Sequence, residues 1–224
     1  MSVSENLKSI HERIEKAAAY AQRDAADVQL VAVSKVQPEG RVKGALDAGH
    51  RLFGENRVQE AQQRWGNSGW RAAYPDLKLH LIGPLQTNKA ADAVALFDVI
   101  ETVDREKLAR VLANEMASQG RDLPCFIQVN IGEEEQKAGI RPAHLGEFYN
   151  YCYGECGLNI IGLMCIPPID EPPALHFALL QKLGGQLGLK ELSMGMSSDF
   201  EKAIPLGATY VRVGSALFGE RDYS

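Results

Sequence analysis

Short apolar runs alternate with amphipathic stretches along most of the chain. The runs are rich in β-branched residues and are bounded by Gly, Pro and polar residues, a pattern typical of buried strands. They predict eight strands, at Val28–Val33, Arg51–Phe53, Lys78–Ile82, Asp98–Thr102, Cys125–Ile131, Asn159–Met164, Glu191–Met194 and Thr209–Val213. The stretches between them place apolar residues three and four apart, which is the helical period. They predict helices at Pro38–Ala48, Val58–Trp65, Lys89–Leu96, Arg105–Ser118, Ala143–Tyr153, Ala174–Leu187 and Asp199–Leu206.

An additional amphipathic helix, with apolar residues from Leu7 to Ala21, precedes the first strand. Strict alternation of strands and helices implies a parallel sheet with right-handed crossovers, and eight such units can close a (β/α)₈ barrel. The competing fold is an open, doubly wound sheet, which usually has a Gly-rich turn after its first strand. Here that turn reads Ser34-Lys35-Val36-Gln37-Pro38. We therefore expect an α/β fold with a single TIM barrel domain over residues 1–224 and an additional N-terminal helix.

Composition excludes several classes of protein. The chain has 224 residues, 45% of them hydrophobic and 24% charged, which argues against wholesale disorder. Its 24 Lys and Arg against 29 Asp and Glu give a net charge of −5, so it lacks the basic surface expected of a nucleic-acid-binding protein. No apolar run reaches the roughly 18 residues of a membrane span, and the charged N-terminus does not resemble a signal peptide. We therefore expect a cytoplasmic protein that binds neither nucleic acid nor membrane.

The four cysteines do not form a zinc-binding pattern. Cys152 and Cys156 are four residues apart, but no second close pair of Cys or His completes a tetrahedral site. Free cysteine is a common buried residue. We therefore interpret all four, including Cys125 and Cys165, as reduced thiols rather than metal ligands.

Polar residues and glycines are concentrated after the predicted strands, where a barrel of this type carries its functional groups. Lys35 ends an apolar strand, so its amine is expected to lie at the mouth of the barrel. Partial desolvation there would lower its pKa and supply the neutral amine that a Schiff base requires. The alternative is a lysine that extends from the strand end into solvent.

The last two strands are followed by segments of small residues. Met194–Ser198 follows the seventh strand, and Val213–Gly219 follows the eighth. Barrels commonly bind a phosphate group with these two loops. The alternative explanation is an ordinary turn followed by a serine that caps a helix.

Arg212 lies within the last predicted strand. A phosphate site, an amine and an inward-facing cation together fit pyridoxal 5′-phosphate (PLP), whose ring nitrogen is met by an Asp or an Arg in its proteins. Arginine does not readily give up a proton, so it would leave the ring nitrogen unprotonated. That would weaken the ring as an electron sink and argues against demanding carbanion chemistry.

At these positions the chain resembles the PLP homeostasis protein family, whose barrel is similar to the N-terminal domain of alanine racemase. The resemblance covers nearly the whole chain. It rests on blocks at Leu30–Lys35, Phe53–Glu60, His80–Lys89, Gln128–Ile131, Lys137–Gly139, Gly162–Met164, Ser193–Ser197 with Asp199, and Val211–Gly214 with Phe218–Gly219. Two departures are visible: Val36 stands where the family usually has Thr, and Ser215 stands where Thr is frequent.

The resemblance implies that Lys35 carries PLP as a Schiff base and that Arg212 faces the pyridine nitrogen. The phosphate ligands that it implies are Ser197, Gly214 and Ser215. The further pocket residues that it implies are Asn56, His80 and Met194. Three further residues match family blocks, namely Glu55, Asn88 and Lys89. They are equally well explained as helix caps or ion pairs near the barrel mouth. Lys137 is a second candidate amine, although an exposed, solvated lysine is the ordinary interpretation.

Three functions are compatible with this pattern. The resemblance implies a PLP-binding protein of PLP homeostasis that holds or delivers the cofactor, with PLP-dependent apo-enzymes as recipients and no catalytic turnover. An amino-acid racemase needs two acid–base groups, and after Lys35 the remaining candidate, Tyr223, lies in a short C-terminal tail with no evident route to the cofactor. A cofactor-free phosphosugar isomerase would instead need a carboxylate base. We expect a monomeric PLP carrier.

Overall fold

Eight parallel strands form a closed barrel in chain order in the computed structural model, which describes residues 2–219. Strand β1 pairs with both β2 and β8, and Ala32 lies beside Phe53 on one side and Val213 on the other. The strands are β1 Gln29–Val33, β2 Leu52–Glu55, β3 Lys78–Leu81, β4 Val99–Val103, β5 Cys125–Val129, β6 Ile160–Cys165, β7 Glu191–Met196 and β8 Tyr210–Val213. The predicted fold class is confirmed, and every predicted strand is present with shifts of one or two residues at its ends.

Helices cover the outside of the barrel, and all except α1, which precedes β1, follow the strands. They are α1 Val3–Tyr20, α2 Glu39–Asp47, α3 Val58–Ala61, α4 Trp70–Ala73, α5 Ala90–Leu96, α6 Glu106–Gln119, α7 Leu145–Asn150, α8 Pro173–Gln186, α9 Phe200–Ala203 and α10 Ser215–Phe218. The pattern missed α4 and α10, which are too short to show a helical period. The predicted helix Val58–Trp65 is α-helical only to Ala61 and continues as a π-helical turn, Gln62–Gly66.

The additional N-terminal helix begins with a capping box, in which Glu5 N donates to the Ser2 hydroxyl and Ser2 N donates to the Glu5 carboxylate. It buries Leu7, Ile10 and other residues of its apolar face. The Asn6 side-chain amide donates to the carbonyl oxygen of Leu217 in α10 at 2.9 Å. Helix α1 therefore supports the short helix that follows the last strand.

Most of the hydrophobic core lies between the strands and the helices. A smaller apolar layer fills the barrel itself, with Val99, Phe126 and Met164 packed against Tyr210. Arg212 follows Tyr210 by two residues and Glu101 follows Val99 by two, so both side chains lie one layer nearer the carboxyl ends of the strands. The interior thus changes from apolar to polar towards the mouth of the barrel.

Two further features concern the whole barrel. No helix within residues 2–219 combines the length and apolar character needed to cross a membrane. Cys125, Cys152 and Cys165 are buried free thiols, as the sequence predicts, whereas Cys156 is half-buried. Burial raises the pKa of the Cys152 and Cys165 thiols to about 12, so both are protonated at neutral pH.

Candidate functional site

A cavity of about 280 Å³ lies at the carboxyl ends of the strands. That volume is close to the lower end of the range for small-molecule sites, about 300–1,000 Å³. The residues that line it are Val33, Lys35, Asn56, Ile82, Ile166, Met196, Ser197, Ser198, Arg212, Gly214 and Ser215. The structure therefore brings together six of the eight site residues predicted from the sequence: Lys35, Asn56, Ser197, Arg212, Gly214 and Ser215.

The structure places Met194 and His80 away from this cavity. Met194 is fully buried in the core between strands and helices, and Met196 lines the cavity instead. Gly195 between them has φ +91°, a conformation that side chains other than glycine rarely adopt. Regular alternation along β7 places Ser193 inside the barrel and Met194 outside, and the kink then turns Met196 towards the cavity.

His80 belongs to a chain of buried polar groups inside the barrel. Its Nδ1 lies 2.6 Å from Glu101 Oε1, and the Ser193 hydroxyl donates to Glu101 Oε2 at 2.5 Å. Arg212 Nη1 donates to the same Ser193 hydroxyl oxygen at 2.6 Å. His80, Glu101, Ser193 and Arg212 thus form one continuous network across β3, β4, β7 and β8, and Arg212 is the member that reaches the cavity.

Glu101 supplies the negative charge of this network. Burial alone would raise the pKa of its carboxyl group. The hydrogen bond and charge of His80, the charge of Arg212 and the Ser193 hydroxyl outweigh burial, so the pKa lies below its usual value. Glu101 is therefore ionised at neutral pH and balances the buried Arg212 guanidinium, which a low-dielectric interior requires.

Two bonds hold the Arg212 guanidinium in the barrel. Besides Ser193, it donates from Nη2 to the carbonyl oxygen of Cys165 at 2.8 Å, and the residue is only 4% exposed. A guanidinium has five N–H donors in a rigid plane. With two of them fixed, the plane of the group is set, and it presents a fixed cation to the cavity.

The loops after β7 and β8 meet at the cavity. The Ser197 hydroxyl accepts from the backbone N–H groups of Gly214 at 3.2 Å and Ala216 at 3.5 Å. Ser198 and Ser215 are exposed beside it. Backbone N–H groups and hydroxyls without bulky side chains are the donor set that binds phosphate in many proteins.

Glu55 is neither a helix cap nor a surface residue. Its carboxylate is fully buried, and Oε1 accepts from the Ser34 hydroxyl at 2.7 Å, the Trp65 indole N–H at 3.0 Å and Arg64 Nη1 at 2.7 Å. Sequence reasoning did not single out Arg64 or Trp65. Their place in a predicted amphipathic helix gave no sign that a π-helical turn directs both side chains at one carboxylate.

The second candidate amine, Lys137, lies outside the residues that line the cavity, as does Lys89. Lys137 is half-buried rather than fully solvated, pairs with Glu134 at 2.5 Å and donates to the carbonyl oxygen of Pro167. Lys89 pairs with Asp92 at 3.6 Å, and Asn88 is exposed. Tyr223 lies outside the described residues.

Within residues 2–219, no group of three or more His, Cys, Asp or Glu side chains is placed to hold a metal ion.

Comparison with known proteins supports one family. The family model of the alanine racemase N-terminal domain matches residues 6–222. The pyridoxal phosphate homeostasis protein of Pseudomonas aeruginosa is 42% identical over 229 residues, which cover 99% of this chain and 97% of that protein. This chain belongs to the pyridoxal phosphate homeostasis protein family.

Solved structures agree with this assignment. PipY of Synechococcus elongatus is 37% identical and matches 97% of this chain and 100% of its own. The TM-score is 0.86 for its structure without PLP and 0.81 for its structure with PLP bound. The family assignment confirms the resemblance found in the sequence blocks, and the structural match agrees with the barrel predicted from the alternation of strands and helices.

Proposed function

We propose that this protein binds PLP in the cavity at the barrel mouth and takes part in PLP homeostasis. The observation that carries the proposal is that one cavity joins a lysine amine, a fixed arginine cation and a cradle of serine and glycine donors. The bound PLP of PipY and the name shared by the curated relatives support it.

The donor set fits the chemical groups of PLP. Ser197, Gly214 and Ser215 would hold the phosphate, and Arg212 would face the ring nitrogen. When bound, PLP supplies an aldehyde that condenses with a primary amine with loss of one water, and Lys35 would provide that amine. Asn56 would contact the cofactor from the loop after β2.

A carrier role is favoured over racemisation. Moving a proton on and off both faces of a substrate needs two acid–base groups. Among the described residues that line the cavity, Lys35 is the one side chain that can act as an acid–base group. The lining contains no Tyr, His, Cys, Asp or Glu. The arginine beside the ring further supports a role in which PLP is held rather than used for carbanion chemistry.

Covalent capture tests the proposal. Purified protein mixed with PLP should absorb visible light, and borohydride should fix one cofactor mass on the peptide that contains Lys35. Lys35→Ala should abolish both signals, whereas Lys89→Ala, the matched lysine nearby on the barrel mouth, should retain them. A colourless wild-type protein without a mass increase would contradict the proposal.

Two further experiments separate carrier from racemase. Exchange of the α-hydrogen of alanine for deuterium should be negligible in the presence of PLP, and rapid exchange would favour the racemase. Loaded protein should activate a PLP-dependent apo-enzyme faster in direct contact than through a dialysis membrane that passes only free PLP, which would support delivery. We further propose that the chain acts as one barrel domain and a monomer, which sedimentation analysis would check.

A further inference from the structure

The turn after β1 has a conformation that its own sequence disfavours. The amide of Gln37 donates to the carbonyl oxygen of Ser34 at 3.1 Å, which closes a four-residue turn with Lys35 in its second position. Val36 in the third position has φ +58°. A positive φ there is the mark of a type II turn, where Gly or Asn is normally found. A β-branched residue in this conformation is a clear outlier.

Arg64 ties the two ends of this turn together. Its Nη1 donates to the carbonyl oxygen of Ser34 at 2.6 Å, and its Nη2 donates to the carbonyl oxygen of Gln37 at 2.6 Å. These are the residues on either side of the Lys35–Val36 pair. The planar fork of an arginine can make both bonds at once, which a lysine ammonium cannot reproduce.

Glu55 in turn holds Arg64. Its Oε1 accepts from Arg64 at 2.7 Å and also from the Ser34 hydroxyl within the turn. The Glu55 side chain is fully buried and that of Arg64 is 17% exposed, so solvent offers little replacement for these bonds. If Arg64 rotated away, the Glu55 carboxylate and the carbonyl oxygens of Ser34 and Gln37 would each lose a hydrogen-bond donor.

A strained residue persists only where its surroundings over-determine its conformation, and such residues cluster at functional sites. The bonds of Arg64 and Glu55 surround the segment that carries the cavity amine, Lys35. We propose that Arg64 and Glu55 are positioning residues that keep the turn in its strained form and thereby set the place of Lys35 in the cavity. This inference rests on the proposed function, in which the Lys35 nitrogen attacks the aldehyde carbon of PLP and the aldehyde oxygen leaves as water.

The test separates covalent capture from simple binding. Capture is measured by absorbance titration with PLP and by borohydride trapping at Lys35. Simple binding is measured by calorimetry with pyridoxine 5′-phosphate, which has an alcohol in place of the aldehyde. Arg64→Gln should weaken capture by about tenfold, since the strain it ceases to support is of that size, while the Kd for the alcohol changes less than about threefold.

Arg71 provides the matched control. It also bonds a carboxylate, Asp98, and a backbone carbonyl, that of Leu96, but at the opposite end of the barrel. Arg71→Gln should leave capture and alcohol binding unchanged. Adding Val36→Gly to Arg64→Gln should recover at least about threefold of the lost capture, because glycine adopts a positive φ without strain.

The outcomes are distinct. Equal losses for PLP and its alcohol in Arg64→Gln, or no recovery with Val36→Gly, would mean that Arg64 has only a structural role and would overturn the inference. Absence of the Lys35 adduct in the wild type would instead defeat the proposed function. If Arg64→Gln does not fold, Arg64→Lys keeps the charge but not the double carbonyl bond, and the same ratio of capture to simple binding decides.

Discussion

The two ends of the barrel use the same interaction for different purposes. At the amino ends of the strands, Arg71 joins the Asp98 carboxylate to the carbonyl oxygen of Leu96, and Asp98 also accepts from the amide of Leu79. At the carboxyl ends, Arg64 joins the Glu55 carboxylate to two carbonyl oxygens of the turn after β1.

The difference lies in what the arginine holds. Arg71 connects the end of α5 to the strands β3 and β4, none of whose residues has a positive φ. Arg64 holds a turn with a residue in a left-handed conformation, next to a cavity. An arginine–carboxylate pair is therefore informative about function only when the backbone that it supports is one that would otherwise relax.

The largest expected effect concerns the buried charges of Glu101 and Arg212 inside the barrel. Glu101→Gln removes the buried anion that balances Arg212, so the free energy of unfolding should fall by about 3 kcal/mol. PLP binding should weaken as well, because Arg212 loses its indirect anchor through Ser193. Asp98→Asn, at the less buried pair of the opposite end, should cost only about 1 kcal/mol. Urea denaturation measures both, and equal losses would remove the contrast between the two ends.

The second prediction compares the two arginines directly. Arg64→Gln and Arg71→Gln should each lower the free energy of unfolding by about 2 kcal/mol, because each removes the arginine donor of a carboxylate and of at least one backbone carbonyl. Thermal denaturation without cofactor should therefore show similar shifts in Tm. Addition of PLP should raise the Tm of Arg71→Gln as much as that of the wild type. A smaller rise is expected for Arg64→Gln, and an equal rise would contradict the comparison.

The free energy of unfolding should depend on pH because of a histidine at the amino ends of the strands, His50. Burial lowers the pKa of His50, whose Nε2 lies 2.7 Å from the carbonyl oxygen of Leu52, to about 4. Between pH 6.5 and 4 the unfolded state binds more protons than the folded state, so stability falls as pH falls across that window. The contribution is at most about 1.4 kcal/mol per pH unit.

His50→Gln should flatten that slope in denaturant titrations at several pH values. Glu101 should add to the slope only at the acid end of this window, as the pH approaches the ordinary value of 4.5, because its carboxyl group then takes up protons in the unfolded state while it stays ionised in the folded state. An unchanged slope in His50→Gln would show that another group titrates in this window.

The smallest effect concerns the strained turn. Val36→Asn should raise the free energy of unfolding by about 1 kcal/mol, because Asn tolerates a left-handed conformation far better than a β-branched residue does. Gln22 also has a positive φ, +55°, after α1, and Gln22→Asn serves as the control far from the cavity. Its gain should be smaller because its side chain is unbranched. A loss of stability in Val36→Asn would mean that the valine side chain makes contacts that outweigh its strain.

The fold was predictable because it depends on patterns that the chain repeats. Eight apolar runs separated by amphipathic stretches leave few arrangements other than a barrel, and each run coincides with a strand. The end of β1 and the loops after β7 and β8 were likewise sufficient to find the cavity. Strand order alone places those segments at one end of the barrel, so Lys35, Ser197 and Gly214 were within reach of sequence reasoning.

The rest depends on local backbone conformations that residue patterns do not report. Gly195 kinks β7 and brings Met196 to the cavity, whereas Met194 faces the outer core because its neighbour Ser193 faces into the barrel. His80 lies in β3, and its partner Glu101 lies in the next strand, β4. The contact between them depends on how the two strands pair in the barrel, which the residue pattern of either strand does not show. The roles of Met194 and His80 towards the cofactor therefore remain predictions from the resemblance alone.

The π-helical turn Gln62–Gly66 makes the length of this segment as important as its composition. Successive residues of an α-helix are turned by about 100° around its axis. Deleting Gln62 would let the segment wind as a regular α-helix and turn Arg64 away from both carbonyl oxygens of the turn. We therefore expect related chains that lack one residue in this segment to hold the lysine amine in a different position, even where the residues that line the cavity are identical.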